Sequence, residues 1–186
     1  MSGSMEKPKD TKDRILISAK KLFGTSGFSA VSMSDIATDV GITKASLYHF
    51  FENKTDIYRA VVDDVLQVME TILGTAIRSG GRMSFADTVE AIIKMGIAEG
   101  NLIMQINPCV VGKETAQEEM MKAKFQQSLE TTARFLGLYK AREPALGAYV
   151  LLNAMRGYIQ WATRETPHVS VRSYSEYLQE LFIPTS

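Results

Sequence analysis

The sequence predicts an all-α protein of about nine helices, and three observations carry that expectation. Apolar residues recur at helical spacing through most of the chain, and no period-two run lasts long enough for a strand. Glycine, proline and short hydroxylic residues fall where helices start and stop. Of the 186 residues, 45% are hydrophobic and 23% charged, which is ample for a buried core.

Ile15, Ala19, Leu22 and Phe23 lie on one face of a first helix, which Ser26-Gly27 ends with Gly27 in the left-handed C′ position. A short second helix is expected from about Met33 to Val40. Ser32 is its N-cap, and Asp35 sits where a first-turn carboxylate favours the helix dipole. A third runs from about Lys44 to Phe50. A long fourth starts near Lys54–Thr55 and continues towards Ser79, where Ser79-Gly80-Gly81 breaks it.

Ser84 is placed to cap a helix through Ala98, and the Gly100–Gly112 region, with Pro108, reads as a break or a short irregular helix. Another long helix spans about Glu114–Tyr139. Glu143-Pro144 opens the next, which runs to about Thr163, because proline fits a first turn. Pro167 punctuates, and Val171–Phe182 makes the last helix.

Composition narrows the chemistry. The one cysteine, Cys109, rules out an intrachain disulfide and reads as a small buried hydrophobe. His49 and His168 stand far apart, so no metal, cofactor or catalytic set is expected, and the chain does not read as an enzyme. Gly112-Lys113-Glu114-Thr115 fails as a phosphate loop, since no glycine lies five residues before Gly112. Met1–Ser4 reads as a cloning remnant before Met5, and the polar start lacks a signal-peptide pattern. The uncharged runs 101–112 and 144–155 fall short of the roughly 20 residues of a membrane span, so a cytoplasmic protein is expected. Net charge is zero, with +2 on residues 1–60 (nine Lys+Arg, seven Asp+Glu) and −2 on the rest. Such an offset decides nothing, so any argument for nucleic acid must rest on placement.

Placement supplies it in Val31–Tyr58. Ala37 is small where two short helices must cross, Gly41 can take positive φ, and Ile36, Val40, Ile42 and Leu47 form a shared apolar core. The spacing matches a helix-turn-helix whose second helix enters the major groove. Its outward residues are Thr43, Lys44, Ser46, Tyr48 and His49. Thr43 caps the helix and can bind a phosphate, Lys44 reaches a base edge or phosphate, and Tyr48 a phosphate or thymine methyl. Ser32 and Lys54 complete the expected DNA-contacting set.

The stretch Ile36-Ala37, Val40–Phe51, Asn53-Lys54, preceded by Leu22-Phe23 and Gly27-Phe28, resembles the DNA-binding domain of the tetracycline-repressor (TetR) family. The resemblance covers about a quarter of the chain; Phe50 departs from it, standing where Tyr or His is common. It implies a sequence-specific regulator that binds palindromic double-stranded operator DNA as a homodimer through the last two long helices. It further implies a repressor released by a small-molecule effector bound in the C-terminal domain. Two alternatives stay open: a helical small-molecule-binding protein that has lost DNA binding, or an activator on the same scaffold.

Domain boundaries are expected at 8–54 for DNA binding and 55–186 for ligand binding and dimerisation. A largely apolar effector cavity is assigned to Met69, Met95, Asn101, Met104, Gln105, Phe125, Asn153, Tyr158 and Trp161, from polar residues set among methionines and aromatics. The Ala145–Thr163 helix is apolar nearly all round, and the last helix carries Tyr174, Tyr177, Leu178, Leu181 and Phe182 at helical spacing. Burial within one subunit and burial between two are equally compatible with that pattern; the resemblance favours the second.

Overall fold

A computed structural model describes residues 10–99, 102 and 116–183. Among the described residues there are eight helices and no strand: α1 (Thr11–Ser26), α2 (Met33–Val40), α3 (Lys44–Phe50), α4 (Lys54–Arg78), α5 (Phe85–Glu99), α6 (Ala116–Leu138), α7 (Pro144–Ala162) and α8 (Val171–Phe182). Of the segment expected to be a break or irregular helix at Gly100–Gly112, only Leu102 is described, and it is buried; Cys109 lies outside the described residues. The chain divides within α4 into two compact units, one ending at Asp63 and the other beginning at Asp64.

In the first unit, Asp10 caps α1 by accepting from the Asp13 N–H at 2.9 Å. Ile15, Ala19 and Phe23 are fully buried, the expected face, while Leu22 is half-buried. Gly27 differs from expectation: its φ is +82° but its ψ of 157° is extended, not left-handed. Its N–H still bonds the Phe23 carbonyl at 3.0 Å. The extended exit carries Phe28 back to the Phe23 and Tyr58 rings, at centroid distances of 5.8 and 4.8 Å. Burial in that cluster pushes the Tyr58 phenol up to about 12.

In the second unit α5 packs on α7 and α8, and α6 on α7. Phe85, Ile93, Phe135, Leu136, Leu151 and Leu178 belong to one core, with Phe85 stacked on Phe135 at 5.3 Å. A Cβ at Gly147 would lie 3.1 Å from Leu136 Cδ1, so this small residue lets α6 and α7 close on each other. Outside the core, the Arg172 guanidinium on α8 bonds Asp87 and Glu90 of α5 and Glu176 of its own helix. Gln179 accepts from the Ala86 N–H at 3.1 Å, satisfying one of the orphan donors at the start of α5.

Candidate functional site

The geometry of α2 and α3 follows from local chemistry. Ser32 and Asp35 form a capping box: the Ser32 side chain accepts from the Asp35 N–H at 3.2 Å, and Asp35 accepts from the Ser32 N–H at 2.8 Å. The Ser32 hydroxyl, followed by its backbone, holds the Asp35 carboxyl below the usual range. Gly41 takes φ +76° and ψ 36°, the left-handed cap, and the Ile42 N–H bonds Ala37 O at 3.0 Å. Thr43 then caps α3 by accepting from the Ser46 N–H at 3.0 Å. Leu47 is fully buried and sets which way the helix faces.

The other side of α3 is open. Thr43, Lys44 and His49 are exposed, Tyr48 is 48% exposed, and Ser46 is half-buried with its hydroxyl 2.8 Å from that of Thr43. Phe50 is 44% exposed, an apolar ring beside the polar face. Ser32 is exposed, but its hydroxyl serves the capping box. Lys54 is engaged within the protein. Its ammonium donates to Phe28 O and Val31 O, each at 2.7 Å, and lies 4.2 Å from the Phe28 ring centroid. A phosphate would have to share an ammonium that already ties down the α1–α2 loop.

Sequence reasoning missed the residues that fix α2 on α1. Arg14 Nη2 donates to Val40 O at 2.5 Å, at the C-terminal end of α2. Asp39 accepts from the Ser18 hydroxyl at 2.8 Å and from Lys21 Nζ at 3.3 Å. The Ser18 bond, then the Lys21 bond, keeps the Asp39 carboxyl below its ordinary range. A signal was present: Arg14, Ser18 and Lys21 lie at i, i+4 and i+7, a polar stripe along one face of α1.

The second unit holds a half-open cavity of about 80 Å³. Val65, Leu66 and Met69 from α4 and Met95 from α5 line it, with Phe125 and Ser128 from α6 and Leu152, Asn153 and Arg156 from α7. Of the residues expected there, Met69, Met95, Phe125 and Asn153 are present. Tyr158 and Trp161 are elsewhere: Tyr158 is buried and donates to Val169 O at 2.5 Å, and Trp161 packs edge-on against Tyr158 and His168. Both follow α7 past the cavity on its core side. Asn101, Met104 and Gln105 lie outside the described residues. Arg156 was not anticipated. Its place at i+3 from Asn153 was the available signal.

The all-round apolar character of α7 resolves into two stripes. Ala148, Leu151, Met155, Tyr158 and Ile159 are buried in the subunit. Leu146, Tyr149 and Val150 are 59%, 48% and 53% exposed, and Gly157 continues their stripe with nothing within 4 Å of a built Cβ. On α8, Leu178 is buried while Tyr177 and Leu181 are 57% and 62% exposed. Tyr174 instead turns inward and donates to Ala154 O at 2.9 Å, and Phe182 packs near Phe85. Among the described residues no helix is long and apolar enough to cross a membrane, and no group of three or more potential ligands could hold a metal ion.

Residues 15–61 match the family model described as bacterial regulatory proteins, tetR family. The chain is 42% identical over 53 residues to the biofilm operon icaADBC HTH-type negative transcriptional regulator IcaR of Staphylococcus epidermidis. That match covers 28% of this chain and only 29% of IcaR. The fold is shared over far more of the chain. A TetR transcriptional regulator from Legionella pneumophila superposes with TM-score 0.77 at 18% identity, over 94% of this chain and 98% of that one. AibR, solved in complex with isovaleryl coenzyme A and operator DNA, superposes with TM-score 0.67 at 16% identity, over 95% and 100%.

Proposed function

We propose that this chain, whose residues 15–61 match the tetR family of bacterial regulatory proteins, is a sequence-specific DNA-binding repressor released by a small molecule. The observation that carries this reading is the exposure of Lys44, Tyr48 and His49 on a helix whose other side is pinned by Leu47. That side chain set suits major-groove reading: Lys44 for a base edge or phosphate, Tyr48 for a phosphate or thymine methyl, His49 for a phosphate. Thr43 and the first N–H groups of α3 offer a further phosphate contact. Ser32 and Lys54 flank this set.

The acting form is a homodimer joined through α7 and α8. The exposed stripe of Leu146, Tyr149 and Val150, with Tyr177 and Leu181, supports this, because apolar patches of that kind are costly to leave in water. A two-fold dimer presents two equivalent α3 helices, so the operator is an approximate palindrome with half-sites about 34–36 Å or more apart. The cavity in the second unit is the effector site, and the effector acts by binding more tightly to the dimer geometry that misfits DNA. The negative regulator IcaR and the complex of AibR with both an acyl thioester and DNA agree with such a scheme. The protein works in the cytoplasm without catalysis or cofactor.

The test is selection of tight-binding fragments from random duplex DNA at about 150 mM salt, where non-specific phosphate contacts are weak. The expected result is one palindromic motif, lost in the Lys44→Ala/Tyr48→Ala double variant, each substitution costing about 1–3 kcal/mol. Recovery of nothing above background from folded, dimeric protein would instead favour a small-molecule-binding protein without DNA affinity. A reporter gene placed behind the selected motif separates repression from activation.

A further inference from the structure

We propose that the cavity between α4, α5, α6 and α7 takes a small aliphatic carboxylate, with Arg156 binding the anionic head and the apolar walls the tail; this rests on the reading of the cavity as the effector site. Of the lining residues Val65, Met69 and Ser128 are buried, Arg156 is half-buried and Asn153 is exposed. A ligand therefore enters tail first and keeps its head towards the solvent side.

The head is anionic because of what surrounds it. Arg156 is the one charged residue among the described lining residues, and no carboxylate is among them. Asn153 lies three positions earlier on the same side of α7, and Ser128 faces from α6. Their side chains are steadied by their own helices: Ser128 Oγ donates to Lys124 O at 3.1 Å, and Asn153 Nδ2 to Tyr149 O at 2.8 Å. Arg156 has an interaction of its own in the chain without ligand. A guanidinium carries five N–H donors in a planar fork, so it can serve a protein partner and a carboxylate together.

Against an apolar wall the guanidinium–carboxylate pair loses less to competing water than it does on an open surface. An alcohol of the same length gains only tail burial, and an amine is repelled. At about 80 Å³ the cavity is small beside the roughly 300–1,000 Å³ of drug-sized sites, which restricts the tail to a few carbons.

Hexanoate, 1-hexanol and hexylamine are the probes, titrated calorimetrically into the full chain, with helix content checked by circular dichroism in each variant. Hexanoate is expected to bind at least tenfold more tightly than hexanol, and hexylamine most weakly. Arg156→Gln brings hexanoate to the level of hexanol and leaves hexanol unchanged. Leu152→Trp, which fills the cavity, abolishes binding of both. Equal binding of hexanoate and hexanol, or a preference that survives Arg156→Gln, overturns the anionic head while Leu152→Trp still validates the cavity. If no probe binds, or Leu152→Trp changes nothing, the cavity itself is not the site and the proposal fails with it.

Discussion

The Ser18 hydroxyl on α1 donates to the Asp39 carboxylate on α2 across 2.8 Å, while Lys21 Nζ approaches the other carboxylate oxygen at 3.3 Å. Together with the bond from Arg14 to Val40 O, this contact fixes α2 on α1, and α3 follows through the turn at Gly41. The orientation of the exposed face of α3 thus depends on polar contacts remote from it.

Asp39 gives this arrangement a pH signature. Its folded-state carboxyl lies below its ordinary range, chiefly through the Ser18 bond. Its contribution to stability is therefore fully present above the unfolded value of about 3.9 and is lost as pH falls through the folded value. Asp39→Asn should lower the unfolding free energy by an amount that is constant at neutral pH and shrinks below about pH 4. Urea titrations of both proteins across that range check this; a difference independent of pH would show that the carboxylate is not what matters.

Lys54→Ala should destabilise the first unit by about 2–3 kcal/mol, because it removes two charge-assisted hydrogen bonds and a cation–π contact from the α1–α2 loop. Chemical denaturation reads this directly. A variant of unchanged stability that nonetheless binds DNA weakly would assign Lys54 to phosphate contact alone.

Gly41 is strained for any side chain, but only through its backbone, since a Cβ there meets nothing within 4 Å. Gly41→Val should cost about 2 kcal/mol, and Gly41→Asn less than about 1 kcal/mol, because asparagine tolerates the left-handed region. Thermal melts of the pair provide the comparison. Equal losses would mean that crowding, not φ, is what the site resists.

Leu146→Glu/Val150→Glu should convert a dimer to a monomer with its helix content retained, as both side chains project from α7 away from the core of their own subunit. Sedimentation equilibrium measures the first effect and circular dichroism the second. A variant that stays dimeric would move the interface off this stripe.

Features set by close neighbours along the chain were legible in the sequence. The Ser32 and Thr43 caps, the left-handed Gly41 and the buried Leu47 depend on residues within one helical turn, so residue type and spacing specify them. The same locality made the all-α class readable from periodicity alone. Gly27 marks the limit: its positive φ was legible, but its ψ answers to a distant ring, Tyr58.

Contacts between distant residues were not legible. Lys54 reaches carbonyls 26 and 23 residues away, Arg14 one 26 residues away, and Arg172 pairs with an aspartate 85 residues back. A lysine or arginine can extend in many directions, and its partner exists only once two helices are packed. On α7, apolar residues surround the axis, so composition cannot say which stripe enters the core. Packing against α5 and α6 selects Ala148, Leu151 and Met155, and leaves Leu146, Tyr149 and Val150 in water and Arg156 at the cavity. Helical period follows from the chain's own geometry, whereas the face that a helix buries follows from the partner it meets.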